Sequence, residues 1–136
     1  MKFAELGEGY LKEAAVWLKM GRRAFRERNY SFAFLAAQEG VEFSLKGALR
    51  KQGVEHPRVH DVSLFLRRNK DRLPRTLADN VDLLGEISRN LALKRNQAAY
   101  GDEASGLPPA GLFSKSEVRT ALRKASWTLK ICRAKE

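Results

Sequence analysis

Apolar positions along this chain recur at spacings of three and four, the period of helices packed on one side. From Tyr10 to about Arg28, Leu11, Ala14, Ala15, Leu18 and Phe25 fall on one face, while Lys12, Glu13, Lys19, Arg23 and Arg26 fall largely on the other. Asn29 then stops that helix or caps the next one. The second helix, about Tyr30 to Lys51, carries two apolar faces. Phe34, Val41, Leu45 and Leu49 make a bulky one, and Ala33, Ala36, Ala37, Gly40, Ser44 and Gly47 make one of small residues. Small side chains let another backbone come close, so this helix is expected at the centre, with neighbours on more than one side.

Gly53 ends it, and the segment EHPRVHD reads as a loop because Pro57 disfavours helix through His56. A short helix is predicted from about His60 to Lys70, with Val62, Phe65 and Leu66 inward. After Pro74 a fourth helix is marked by Leu77, Val81, Leu84, Ile87 and Leu91, and is expected to run to about Ala98. The segment YGDEASGLPPAGLFS holds too many Gly and Pro residues for a helix and reads as an ordered loop pinned by Leu107, Leu112 and Phe113. Ser114 with Glu117 three residues later is a capping-box pattern opening a last helix through Val118, Ala121, Leu122, Ala125, Leu129 and Cys132. No stretch alternates with period two between turn residues. The expectation is therefore one all-α domain over residues 1–136, an up-and-down four-helix bundle with an additional short helix.

One position breaks the pattern. Arg95 is the next residue on the Leu77–Leu91 stripe, and Ala98 continues that stripe beyond it. An inward charge needs a partner or a ligand, because burying it alone costs more than a fold tolerates. Glu42, beside the apolar Val41 and Leu45 on the central helix, is the expected partner, and a bidentate pair would satisfy both charges. Lys46 lies one turn further on, so the alternative is an ordinary Glu42–Lys46 pair on an exposed face.

Composition narrows the partners. The 136 residues, 43% hydrophobic, suffice for one core and are few for two. Lys and Arg number 26 against 16 Asp and Glu, a net charge of +10 that favours polyanions such as nucleic acid or nucleotides. The run RRNKDRLPR is cationic at Arg67, Arg68, Lys70, Arg72 and Arg75, either a phosphate-tracking edge or a solvated helix end. The lone Cys132 allows no intramolecular disulfide and no multi-cysteine zinc site, and is expected as a small core residue. A reducing, cytoplasmic setting fits it. Glu5, Glu8, Lys12, Glu13 and Lys19 interrupt the first residues, so no signal-peptide core is expected, and no run approaches the ~20 apolar residues of a membrane span.

His56 reads as a solvated loop residue, and His60, followed by Asp61, as serving the helix start or supporting a site from behind. Neither gives a metal signature, and no metal or cofactor is expected. Glycine-rich phosphate loops and nucleophile elbows are missing from the sequence.

The central AAQEGVEFSLKGAL, the VHDVSLFL segment opening a short helix and the later RNQAAYGDE together resemble the HEPN family of small all-α domains, over about Tyr10 to Arg133. The resemblance implies a homodimer whose Arg-containing motifs face each other across a cleft. It also implies either of two roles. One is a nucleotide- or RNA-binding module acting with a minimal nucleotidyltransferase partner in a toxin–antitoxin-like pair. The other is metal-independent endoribonuclease activity, which active members carry on an Arg, four to six residues and a His. Arg95 and Asn96 match the first positions of that motif, whereas Tyr100 stands where the His belongs. Phenol is a poor proton carrier near neutral pH. The site implied by the resemblance thus comprises Arg95, Asn96 and Tyr100 as the catalytic set, with Arg95, Tyr100, Glu42 and Lys46 for binding a nucleotide: Arg95 on phosphate oxygens, Tyr100 stacking on a base or donating to phosphate.

Overall fold

Small residues decide how the two longest helices meet. The computed structural model describes residues 2–56 and 58–134, and in it α1 (Lys2–Arg26) and α2 (Tyr30–Lys51) lie against each other along their length. A β-carbon on Gly47 would stand 2.9 Å from the Gly7 carbonyl oxygen, and one on Gly7 would stand 2.7 Å from that of Gly47. Further along, Leu18 fills the space beside Gly40, and Gly21 faces Ala33 and Ala36, so the two helices run antiparallel. The small-residue face read from the sequence is thus the seam with α1. The start of α1 comes earlier than the periodicity predicts, because Gly7, a poor helix former by itself, lets α2 pack against this first part of the helix. Arg28 turns the chain with φ of 63°, and Asn29 caps α2 through its side-chain oxygen, which accepts from the Phe32 amide at 3.4 Å.

The remaining helices are α3 (Ser63–Arg68), α4 (Arg75–Ala78), α5 (Val81–Leu93), α6 (Arg95–Tyr100) and α7 (Lys115–Arg133), with a 3-10 turn at Lys70–Arg72. Among the described residues there is no strand, and the fold is all-α. α7 packs on both α1 and α2, while α5 joins α3 to α2. The bulky face of α2, with Phe34, Val41, Leu45 and Leu49 all buried, meets Leu66, Leu84, Phe113, Val118 and Leu129 in the core. Cys132 is buried there, and its burial pushes the thiol up to about 12 against a small opposing pull from Lys51.

Further expectations change. The short helix begins at Ser63 instead of His60, because the residues before it are bonded elsewhere: Asp61 Oδ1 accepts from the Ser63 amide at 2.9 Å, and the Val62 amide donates to Ser88 Oγ at 3.0 Å. The fourth helix is three pieces. The Asn80 side chain donates to the Thr76 carbonyl at 2.8 Å between α4 and α5, and at Lys94 the amide reaches back only three residues, to the Leu91 carbonyl at 3.2 Å. Half of the capping box forms. Ser114 Oγ accepts from the Glu117 amide at 3.1 Å, but the Glu117 carboxylate pairs with Lys94 instead of returning to the cap.

In the long loop, Phe113 is buried against Phe34 with ring centroids 4.6 Å apart. Leu107, expected as a pin, is exposed, and its backbone does the pinning through two hydrogen bonds with Asp102 at 2.8 and 3.1 Å. Gly101, with φ of 83°, has no room for a side chain, since a β-carbon would lie 2.3 Å from the Leu107 carbonyl oxygen. Pro57, expected to disfavour helix through His56, lies outside the described residues. His56 is half-buried instead of solvated: its ring tilts against Tyr10 at 5.9 Å, and Arg50 Nε donates to its Nε2 at 3.3 Å. Among the described residues no helix is long and apolar enough to cross a membrane.

Candidate functional site

The break at Lys94 aims two neighbouring cations at different helices. Lys94 turns to α7, pairing with Glu117 and lying 5.5 Å above the Phe113 ring. Arg95, the first residue of α6, turns to α2 and donates from Nη1 to both Gln38 and Glu39. Its side chain is 24% exposed and that of Glu39 only 13%. The stripe reading of Arg95 as an inward, partnered charge is therefore right, but the partner is Glu39 and not Glu42.

Glu42 is already engaged. Lys46, one helical turn away, donates to Oε2 at 2.8 Å, Gln38 Nε2 donates to Oε1 at 3.0 Å, and His60 Nδ1 lies 2.7 Å from Oε1. Glu42 and Lys46 are both buried, so the pair is not the exposed one that spacing alone would suggest. Burial acts to raise the Glu42 pKa. Hydrogen bonds from Lys46, Gln38 and His60, with the charge of Lys46, outweigh it and hold the carboxyl below its ordinary 4.5. Gln38 links the two halves, accepting from Arg95 with its oxygen and donating to Glu42 with its nitrogen.

The fold thus brings Arg95, Glu42 and Lys46 into one network. Asn96 and Tyr100 are elsewhere. Both are exposed, Tyr100 by 75%, and they line an open groove of about 490 Å³ with Gln97 and residues 101–104. The cationic run is largely spent on local contacts: Arg67 to Asp82 at 3.5 Å, Arg75 to Asp79 at 3.8 Å, and Arg72 to the Gln52 carbonyl at 3.3 Å. Arg68 and Lys70 remain exposed.

Sequence reasoning missed Glu39 and the reach of His60. A signal existed for the first. Glu39, Glu42 and Lys46 sit at spacings of three and four on a helix otherwise buried, a charged stripe where an apolar one is the rule. No spacing joins His60 to α2; only the loop does.

Glu39, Glu42 and His60 each offer one metal-ligand atom, all within 4.8 Å of one another. Arg95 and Lys46 already bring one positive charge to each of these carboxylates, so a dication would have to displace both. What the arrangement offers more readily is anion binding. Both bonds of Arg95 leave from Nη1, so the rest of its guanidinium fork has donors for a phosphate.

A family model described as the HEPN domain matches residues 8–135. No curated protein and no solved structure matches the chain.

Proposed function

The chain belongs to the HEPN family over nearly its whole length, and on that premise we propose that it is a nucleotide- or RNA-binding module whose phosphate contact is Arg95. It acts as a homodimer with a minimal nucleotidyltransferase partner, in a toxin–antitoxin-like pair. The observation that carries the binding part is the placement of Arg95: a half-buried guanidinium held from behind by Gln38 and Glu39 through a single nitrogen. A pre-oriented arginine loses little freedom when it closes on a phosphate. The net charge of +10 supports a polyanionic ligand. The exposed Tyr100, five residues on, offers a ring for stacking. The dimer and the partner rest on family likeness alone.

Titration of a labelled nucleotide and of a short single-stranded RNA tests this reading. Arg95→Gln should weaken either by about tenfold or more, the scale of one charge-assisted contact. Binding should also weaken as salt rises. Equal affinity of parent and variant would refute the assignment of Arg95. A reading frame for a short nucleotidyltransferase beside this one, whose product co-purifies on co-expression, is the expected result for the partner.

A further inference from the structure

An exposed histidine held on one ring nitrogen by a buried carboxylate is arranged as a general base. His60 is held in this way. Its Nδ1 lies 2.7 Å from Glu42 Oε1, and its side chain is 54% exposed. Glu42 cannot swing away, because Lys46 holds Oε2 at 2.8 Å and Gln38 shares Oε1 at 3.0 Å. An ionised carboxylate only accepts hydrogen bonds, so the ring proton belongs on Nδ1 and the lone pair on Nε2. The imidazole also stands close to the phosphate-binding arginine. The metal-ligand atoms of His60 and Glu39 are within 4.8 Å of each other, and Glu39 is the carboxylate to which Arg95 donates.

We propose that His60, oriented by Glu42, is the proton-transfer group of an RNA-cleaving site in which Arg95 holds the phosphate. The inference rests on the phosphate-binding reading and adds a reaction to it. It places the chemistry on a residue of the α2–α3 loop, not on position 100. In the step, His60 Nε2 takes the proton of a ribose 2′-hydroxyl. The 2′-oxygen forms a bond to phosphorus, and the bond from phosphorus to the 5′-oxygen breaks, its electron pair leaving with that oxygen. The departing 5′-oxygen takes a proton from water, and the hydroxide so formed takes the proton from His60, restoring the neutral ring. Arg95 stabilises the charge gathered on the non-bridging oxygens. The products are a 2′,3′-cyclic phosphate and a free 5′-hydroxyl, and the balance requires no redox partner. Because the nucleophile is the 2′-hydroxyl, DNA would bind and not react.

The test uses the full chain, a single-stranded RNA oligonucleotide and its all-deoxy counterpart, in buffer with and without a chelator. Binding is followed by anisotropy and cleavage by gel, with product ends identified by mass. The parent should bind both strands and cut only RNA, leaving the cyclic phosphate. His60→Asn, at an exposed position, should bind RNA within about twofold of the parent and cut it on the order of 10²-fold or more slowly. Glu42 is a positioning residue, so Glu42→Gln should lower kcat by a larger factor than it raises KM. Three results would each overturn the proposal: RNA bound but not cut by the parent, His60→Asn cutting at the parental rate, or cleavage abolished by the chelator. An absence of RNA and nucleotide binding by the parent would instead bring down the phosphate-binding reading, and this inference with it.

Discussion

Arg95 on α6 donates from Nη1 to Glu39 on α2, 56 residues earlier in the chain. The charge that interrupts the apolar stripe is thereby answered, and the answer ties the short helix that carries it to the most buried helix of the fold.

Breaking that tie should cost stability as well as binding. Arg95→Ala leaves Glu39, 13% exposed, and Gln38, almost wholly buried, without a donor. The expected loss is on the order of 1–3 kcal/mol, the cost of stranding polar groups from water. Arg95→Met combined with Glu39→Leu should recover much of it, since apolar groups of similar size often replace an enclosed pair at little cost. Binding should stay lost in both variants. Thermal melts beside a nucleotide titration separate the two effects, and a single variant that melts like the parent would show Arg95 to be a solvated charge.

Glu42 should give the fold an acid limb. Its folded pKa lies below the ordinary 4.5, so the folded chain prefers the carboxylate more than the unfolded chain does. The resulting stabilisation is complete above about 4.5 and is lost as pH falls through the lower folded value. Glu42→Gln should flatten this part of the curve of stability against pH. At neutral pH the same change strands the buried Lys46 and should cost on the order of 3 kcal/mol. Urea melts from pH 3 to 7 on parent and variant would show it, and parallel curves would contradict the prediction.

Much of this was legible in the sequence, and the exceptions have physical causes. Period 3.6 marks α2 and α7 well because each buries a broad face continuously, and nothing competes for their ends but Asn29 and Ser114. The break before Arg95 carries neither Gly nor Pro. It goes with a long-range pair between Lys94 and Glu117, which no window of local sequence contains. Glu42 could be recognised as an inward acid from its apolar neighbours. Which cation it takes depends on competition, and Lys46 on the same helix is one turn away whatever the tertiary fold. The link from His60 to Glu42 depends on the path of a loop, and loop paths are the part of a fold that periodicity does not encode.

Cys132 should be chemically silent in the native chain. Burial pushes its thiol up to about 12, so almost none is thiolate at pH 8, and only 4% of the residue is exposed. A disulfide-exchange reagent at pH 8 should label the protein only as fast as it opens, and adding denaturant should release one thiol per chain at once. Rapid labelling of the folded chain would mean that the end of α7 opens easily.

Two glycines, one on the exposed face of α1 and one at its seam with α2, should respond to the same substitution with opposite signs. Gly9 lies inside α1, and a β-carbon there would meet nothing within 4 Å. Gly9→Ala should therefore stabilise by about 0.5–1 kcal/mol, because alanine gives up less backbone freedom on entering a helix. Gly47 would gain the same benefit in α2, but its β-carbon would stand 2.9 Å from the Gly7 carbonyl oxygen and 3.0 Å from a Leu11 methyl. A carbonyl oxygen cannot turn aside as a side chain can, so α1 has to move away from α2 and loosen the core behind it. Overpacking of this kind costs about 1–3 kcal/mol, which exceeds the propensity gain. Gly47→Ala should lower Tm while Gly9→Ala raises it. If both raise it, the helices are not held as closely as Gly7 and Gly47 indicate.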